Sequence, residues 1–380
     1  MTPEIKQRID KICHGEVPEG YQRTFLGIAP KSWDKSRIDK ICRLSSGSTP
    51  RRDAVENFAG DILWVTSGEL KRRTIEDTRE KISETAVVNS HLEIYDPGTV
   101  VIAIYGLEAA GIRGTVSIIG KQCTISQACM AFTEFKGIDN EFFYYWYLNN
   151  GQVIGLRYAQ GTKQQNLSTD IVGSFPICFP SQGEQQKIAA ILTTQDRVIE
   201  LKEKRLAEKQ RQKKYLMQQL LTGKKRLPGF SEEWKKVKIG SFIKEIDERS
   251  TVNNQYEILS VTKNGMVFQS SHFNKQIASE NNVGYKVVRR GNLAFSTMNL
   301  WMGSLDTLRI CDTGIVSPAY KVFEFNQSLI VVNFAENYMK SAEMIWLYKA
   351  NSEQGASIVR RNLDLQALLN SEVALPDISC

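Results

Sequence analysis

The chain has 380 residues, 42% apolar and 24% charged, the composition of a soluble globular protein with room for two cores rather than one. No apolar run approaches the length of a transmembrane helix, and the opening MTPEIKQRIDKICHG carries charges at helical spacing instead of the apolar stretch of a secretory signal. Seven scattered cysteines (Cys13, Cys42, Cys123, Cys129, Cys178, Cys311, Cys380) without a C-x-x-C pair, and three histidines far apart (His14, His91, His272), speak against disulfides, a metal site and histidine chemistry and for reduced thiols in the cytoplasm.

In chain order, residues 1–30 read as a helical tail. Residues 31–181 mix short β-rich runs ended by glycine, such as TVVIAIYG, with the helical spacing of DNEFFYYWYLNN. From Glu184 to Thr222 there is no glycine or proline until Gly223, and the charges are dense. Ser181 with Glu184 three residues on has the capping-box spacing, Gly223 is the expected C-cap, and Pro228 lies beyond. A helix of about 39 residues would be roughly 58 Å long. Leu192, Ile199, Leu206 and Leu220 share one heptad row, flanked by Ile188 and Leu216, a narrow apolar stripe that calls for a partner helix. Residues 184–226 hold twelve Lys/Arg against five Asp/Glu, which accounts for the whole net charge of +7. Such a run is either a solvated face or a footprint for a polyanion or acidic partner. Residues 227–380 return to mixed β-runs and helices, such as LAFSTM and AEMIWLYKAN.

The two mixed segments are copies of one another. SWDKSRIDKICRLSSG (32–47) resembles EWKKVKIGSFIKEIDERS (233–250); DILWVTSG (61–68) resembles YEILSVTKNG (256–265); DPGTVVIAIYG (96–106) resembles RRGNLAFSTMN (289–299). CTISQACMAF (123–132) resembles TGIVSPAYKVF (313–323), and QQNLSTDIVGSFPICFP (164–180) resembles VRRNLDLQALLNSEVALP (359–376). Five blocks in the same order at nearly one offset indicate a domain duplication, not an array of short repeats. The tail joins the pattern: IKQRIDKICHGEVPEGY (5–21) resembles KKYLMQQLLTGKKRLPGF (213–230), with Gly15 opposite Gly223. The expected fold is α+β, two pseudo-repeated mixed α/β domains joined by a long coiled-coil-type helix.

Catalytic motifs are sparse. Asp61, Glu69 and Lys71 have the D…E-x-K spacing of a metal-dependent nuclease, but the second copy has none of the three. GLEAAGIRG (106–114) has the glycine spacing of a phosphate loop with Ile112-Arg113 in place of Lys-Ser/Thr. The polar loops are more telling: SSGSTPRR (45–52), SGELKRR (67–73), GIRG (111–114) and QGTKQQNLS (160–168) in copy one, and TKNG (262–265), STMNLWMG (296–303) and SIVRRNLDL (357–365) in copy two. Arginine suits guanine edges, Asn and Gln suit adenine, and Lys, Ser, Thr and backbone amides suit phosphate.

With these features the sequence resembles the specificity subunit of type I restriction-modification systems. The resemblance rests on the duplicated build, the helix after the first copy, the SGSTPRR and DILWVTSGEL blocks, and above all NLSTDIVGSFPICFPSQGEQQKIAAIL (166–192). It implies a 1–30 tail, a target-recognition domain over 31–181, a central conserved helix over 182–226 and a second target-recognition domain over 227–380, with the family's second helix not found after Pro376. It implies no catalytic site and no cofactor held by this chain; S-adenosylmethionine, ATP and Mg²⁺ would serve the methyltransferase and translocase-nuclease subunits. Each domain would read one half of a bipartite site in double-stranded DNA, while the helix sets the gap and docks the methyltransferase. Candidate DNA-binding residues are Arg51, Arg52, Lys71, Arg72, Arg113, Lys163, Gln164 and Gln165 in the first copy, and Lys263, Asn264, Asn299, Arg360 and Arg361 in the second. Candidate partner contacts are Gln185, Gln186, Ile188, Leu192, Ile199, Leu206 and Leu220, through which two copies could also self-associate. The competing readings are a coiled-coil adaptor whose recognition domains no longer bind DNA, and a stand-alone nuclease.

Overall fold

The computed structural model describes residues 2–104, 115–158, 167–272, 281–354 and 361–378. It divides into two compact units, Met1–Lys202 and Glu203–Cys380, with the division inside the long helix Gln182–Leu220. No helix among the described residues is long and apolar enough to cross a membrane.

In the first unit a five-stranded sheet runs in the order Arg43–Ser46, Cys129–Thr133, Val100–Ala103, Val116–Ile119, Thr74–Ile75. All neighbours are antiparallel except the last pair. Val100, Val101, Ile102 and Ala103 are all fully buried, because the strand is covered on both faces. Alternation then divides the strands between two cores. Val100, Ile102, Met130 and Phe132 meet the helix Asn140–Tyr158 through Phe143 and Tyr147. Val101, Ala103, Cys129 and Ala131 meet Leu63, Val65 and Ile125 of a smaller sheet. In that sheet Cys123–Ile125 pairs parallel with Ile62–Val65. Away from these, Asp34–Arg37 pairs antiparallel with Pro176–Phe179.

The second unit repeats this plan. Its sheet runs Ile243–Ile246, Tyr320–Phe325, Leu293–Ser296, Leu305–Thr307, the same order by repeat position. Lys235–Lys238 pairs with Glu372–Leu375 as Asp34–Arg37 pairs with Pro176–Phe179. The parallel contact recurs as the bridge between Ile258 and Ile315. Two cores flank the sheet again, one holding Leu293, Phe295 and Phe323 and the other Ala294, Val322 and Leu259. The second copy departs in detail: its sheet has four strands rather than five, Leu259–Thr262 pairs with Gly265–Phe268 as a hairpin, and Lys286–Arg289 pairs with Thr313–Val316. The helical cover is split into Val332–Tyr338 and Ala342–Ala350, because Ser341 starts a new helix, its hydroxyl accepting from the Met344 amide at 3.3 Å.

The long helix begins two residues earlier than its charge pattern suggests. The Ser181 main-chain carbonyl accepts from the Glu184 and Gln185 amides (2.9 and 3.0 Å), so the chain turns in through its backbone. Its last turns, through Met217 and Leu221, pack on the second unit's core. The tail helix Pro3–Cys13 closes as the long helix does, with a left-handed glycine: Gly15 at φ +75° and Gly223 at φ +68°. The likeness of the two segments is thus carried into backbone geometry.

Gly47 marks the tightest backbone contact in the first unit. A Cβ there would lie 2.0 Å from the Ile125 carbonyl oxygen. Gly47→Ala is expected to lower the thermal midpoint of the full chain by an amount equivalent to about 1–3 kcal/mol. Gly183→Ala, where a Cβ meets nothing within 4 Å, should leave it unchanged or raise it. A melting experiment on both variants checks the pair.

Candidate nucleic-acid interface

In the first unit a short chain of main-chain hydrogen bonds brings several strand ends together. The Ser126 amide donates to Val65 O (2.8 Å), Ser48 to Ile125 O (3.2 Å) and Gly47 to Cys129 O (3.2 Å). Ile104 donates to Ala128 O (2.9 Å) and Leu167 to Ile104 O (3.1 Å). The segments that follow Ser46, Val65 and Ile104, and the one that precedes Leu167, therefore start from adjacent points. These are the four loops singled out in the first copy.

The segment after Val65 is built on a carboxylate. In the single 3₁₀ turn Ser67–Glu69, Glu69 Oε2 accepts from the Thr66 amide (2.6 Å) and hydroxyl (3.0 Å), while Oε1 accepts from the Arg79 amide (2.8 Å). Both oxygens are spent on holding the loop, which corrects the reading of Glu69 as a nuclease metal ligand. Lys71 and Arg72 follow directly, exposed, and neither side chain has a partner among the described residues. Arg73 turns inward to pair with Glu141 over the Tyr144 ring. The sequence run Lys71-Arg72-Arg73 thus yields two free cations and one structural one.

Arg51 and Arg52 are less free than their loop suggests. Arg51 pairs with Asp53 at 2.7 Å on an open surface. Arg52 binds Glu80 through two hydrogen bonds (2.6 and 3.0 Å) and lies 4.7 Å over Phe58 and 5.1 Å over Trp64. The guanidinium also covers a small core of Trp64, Ile82 and Val87. Arg113, Lys163, Gln164, Gln165 and the phosphate-loop-like glycines lie outside the described residues, as does Arg360.

In the second unit Lys263 and Asn264 form the exposed tip of the hairpin Leu259–Thr262/Gly265–Phe268. Thr262 Oγ1 closes the turn, accepting from the Asn264 amide (3.1 Å) and donating to Gly265 O (2.9 Å). Asn299 begins the 3₁₀ turn Leu300–Met302 without spending its side chain on the cap. The Arg361 amide donates to Met298 O (3.4 Å), so Arg361 lies beside the end of Leu293–Ser296. Leu167 returns beside Ile104 in the same way. The Arg361 guanidinium lies 4.7 Å over the Trp301 ring. Trp301 was passed over in the sequence, where a tryptophan among Asn, Gly and Ser in STMNLWMG is the signal that could have found it.

The helix residues separate into two groups. Gln185 is fully buried: Oε1 accepts from the Asp139 amide (2.7 Å) and Nε2 donates to Gly137 O (3.1 Å) and Pro180 O (2.8 Å). Ala189 is buried and Ile188 packs on the same core. One face later, Tyr145 Oη donates to Asp196 (2.7 Å) and pairs with the Thr193 hydroxyl (3.2 Å). Gln185, Ala189, Thr193 and Asp196 thus form the row that seats the helix on its own unit, with Gln185 an internal anchor and Ile188 half-buried beside it. Gln186 is exposed, Leu192, Ile199 and Leu206 stand 37%, 54% and 59% exposed, and Leu220 lines a groove of about 650 Å³ with Leu216, Phe230, Trp234 and Phe334.

No group of three or more His, Cys, Asp or Glu with metal-binding geometry occurs among the described residues. Burial pushes the Cys42, Cys123 and Cys129 thiols up to about 12, so none is a thiolate at neutral pH.

Residues 30–210 match the family model described as the type I restriction modification DNA specificity domain. Over 188 residues the chain is 30% identical to the type I restriction enzyme MjaIX specificity subunit of Methanocaldococcus jannaschii, covering 48% of this chain and 42% of that protein. It is 24% identical over 175 residues to the EcoR124I/EcoR124II specificity subunit of Escherichia coli, covering 45% and 43%. The matched stretch therefore spans less than half of either relative. The crystal structure of a type I restriction-modification S subunit from M. genitalium superposes with a TM-score of 0.52 over 91% of this chain and 86% of that one, at 14% identity, a likeness of fold.

The loop tip and its neighbours separate by one experiment. Replacing Lys71 and Arg72 together with Ala should weaken binding to every duplex sequence alike and flatten the plot of log K against log salt by about 0.9 per lost phosphate contact. Arg52→Ala should instead cost about 1 kcal/mol of stability through its lost stacking on Phe58 and Trp64. Salt-titrated binding and melting of the two variants check this; an unchanged salt slope for the double variant would remove the tip from the backbone contacts.

Proposed function

We propose, from the premise that the chain belongs to the family of type I restriction-modification specificity subunits, that it is the non-catalytic DNA-reading component of such a system. The observation that carries this is the duplication seen at the level of strands. Two units of equal sheet order each release polar loops from matching strand ends. In this reading each unit takes one half of a bipartite site in double-stranded DNA. Lys71, Arg72 and Lys263 lie on phosphates and fix position, and side chains with free donors and acceptors read base edges.

The helix is the spacer. Its first turns are fixed to one unit by Gln185 and its last turns to the other by Leu221, so it has a defined start and finish. The exposed row of Leu192, Ile199 and Leu206 then receives a second helix or the methyltransferase subunits, or pairs two copies of the chain. A translocase-nuclease subunit completes the assembly in the cytoplasm. This chain holds no cofactor; S-adenosylmethionine, ATP and Mg²⁺ belong to the subunits that do the chemistry.

Single-molecule sequencing of DNA from cells that express the chain with its methyltransferase subunit tests the reading. The expected result is a methylated bipartite motif with one fixed gap. Inserting four residues after Leu206, about one helical turn or 6 Å, should change the gap by about one or two base pairs and leave both half-sites unaltered. A palindromic motif would mean that one module reads in two paired copies. Absence of any motif with soluble protein would reject the reading.

A further inference from the structure

Four arginines of the second unit's recognition module are met by an acid. Arg249 pairs with Asp247, Arg289 with Glu248, Arg290 with Asp312 and Arg309 with Glu336. Arg361 is different. It is partly buried, no acid lies against it, and its guanidinium makes no hydrogen bond among the described residues. What holds it is the Trp301 ring at 4.7 Å and the main-chain bond from its amide to Met298 O. Its Nε and the neighbouring Trp301 Nε1 are both buried and both lack an acceptor. A cation placed this way, part-desolvated and uncompensated, is costly to keep unless something supplies the acceptors.

We propose that Trp301 holds Arg361 as a pre-oriented fork that reads the major-groove edge of one guanine in the half-site served by the second unit. The inference rests on the reading of the chain as a DNA-specificity subunit. A guanine offers two acceptors, N7 and O6, at the separation of two guanidinium nitrogens, and arginine is their common partner. Stacking on an indole fixes the plane of the guanidinium, which matters for a bidentate contact and little for a point charge on phosphate. The position suits the role. Arg361 and Trp301 stand with Asn299 where the chain leaves Leu293–Ser296, and the exposed lysine on the hairpin tip, Lys263, is the residue free to follow a phosphate. Trp301 is then a positioning residue and Arg361 the reader.

The test is selection of duplexes from a randomised library by the full chain, comparing wild type with Arg361→Lys, Trp301→Leu and Trp301→Phe, each checked for folding by circular dichroism. Arg361→Lys keeps the charge and loses the fork; it should reduce preference for a single guanine by about tenfold or more and leave the other positions as they were. Trp301→Leu should weaken preference at that same position, and Trp301→Phe should restore most of it. If Trp301→Leu does not fold, the other two variants carry the test. Two results overturn the inference while leaving the function intact: an unchanged motif in Arg361→Lys, or a loss of affinity equal on all sequences, which marks a phosphate contact. A wild-type chain that selects no motif at all overturns the underlying reading and this inference with it.

Discussion

Burial of the central sheet on both faces is the constraint from which the rest of each unit follows. Once helices cover one face and a small sheet the other, a strand such as Val100–Ala103 has no solvent-facing side on which to place a polar group. Few polar residues remain inside such strands, Ser117 being one that is bonded to Arg72 O, and the main-chain bonds at the strand ends decide which flanking residues meet. Five such bonds link Ser48, Ser126, Ile104, Leu167 and Gly47 to neighbouring strands, so these strand ends lie side by side. The second unit solves the same problem with the same strand order.

Much of this was legible in the sequence because it follows from period and repetition. The duplication, the two mixed modules and the long helix came from five aligned blocks and an uninterrupted charged run, and the strand orders agree with them. What escaped depends on neighbours distant in the chain. Gln185 looks like any glutamine on a charged helix; only the Asp139 amide and the Gly137 and Pro180 carbonyls make it an internal bracket. Arg52 reads as a loop cation until Glu80, Phe58 and Trp64 surround it. Glu69 matches a nuclease spacing until its oxygens are seen to be occupied. In each case the residue type suggested a ligand and the fold supplied one from within.

Electrostatics follows the same economy. Most arginines in the two units are neutralised internally, so the excess positive charge resides in the helix and in a few exposed tips. In the proposed reading, the long-range field that would attract a polyanion and the short-range groups that would discriminate sequence are thus different residues. The former tolerate exchange of lysine for arginine, whereas the latter depend on planar geometry.

Anchoring of the loop after Val65 by Glu69 has an evolutionary consequence. Because the carboxylate ties Thr66 to Arg79, the Lys71 and Arg72 side chains stand outside the bonds that hold the loop, while their main chains join it through Glu69 O and Ser117 Oγ. Side-chain substitutions at Lys71 and Arg72 therefore meet little resistance from the fold. A lineage can drift through many versions of that tip without passing through an unfolded intermediate, so recognition can diversify far faster than the scaffold that presents it.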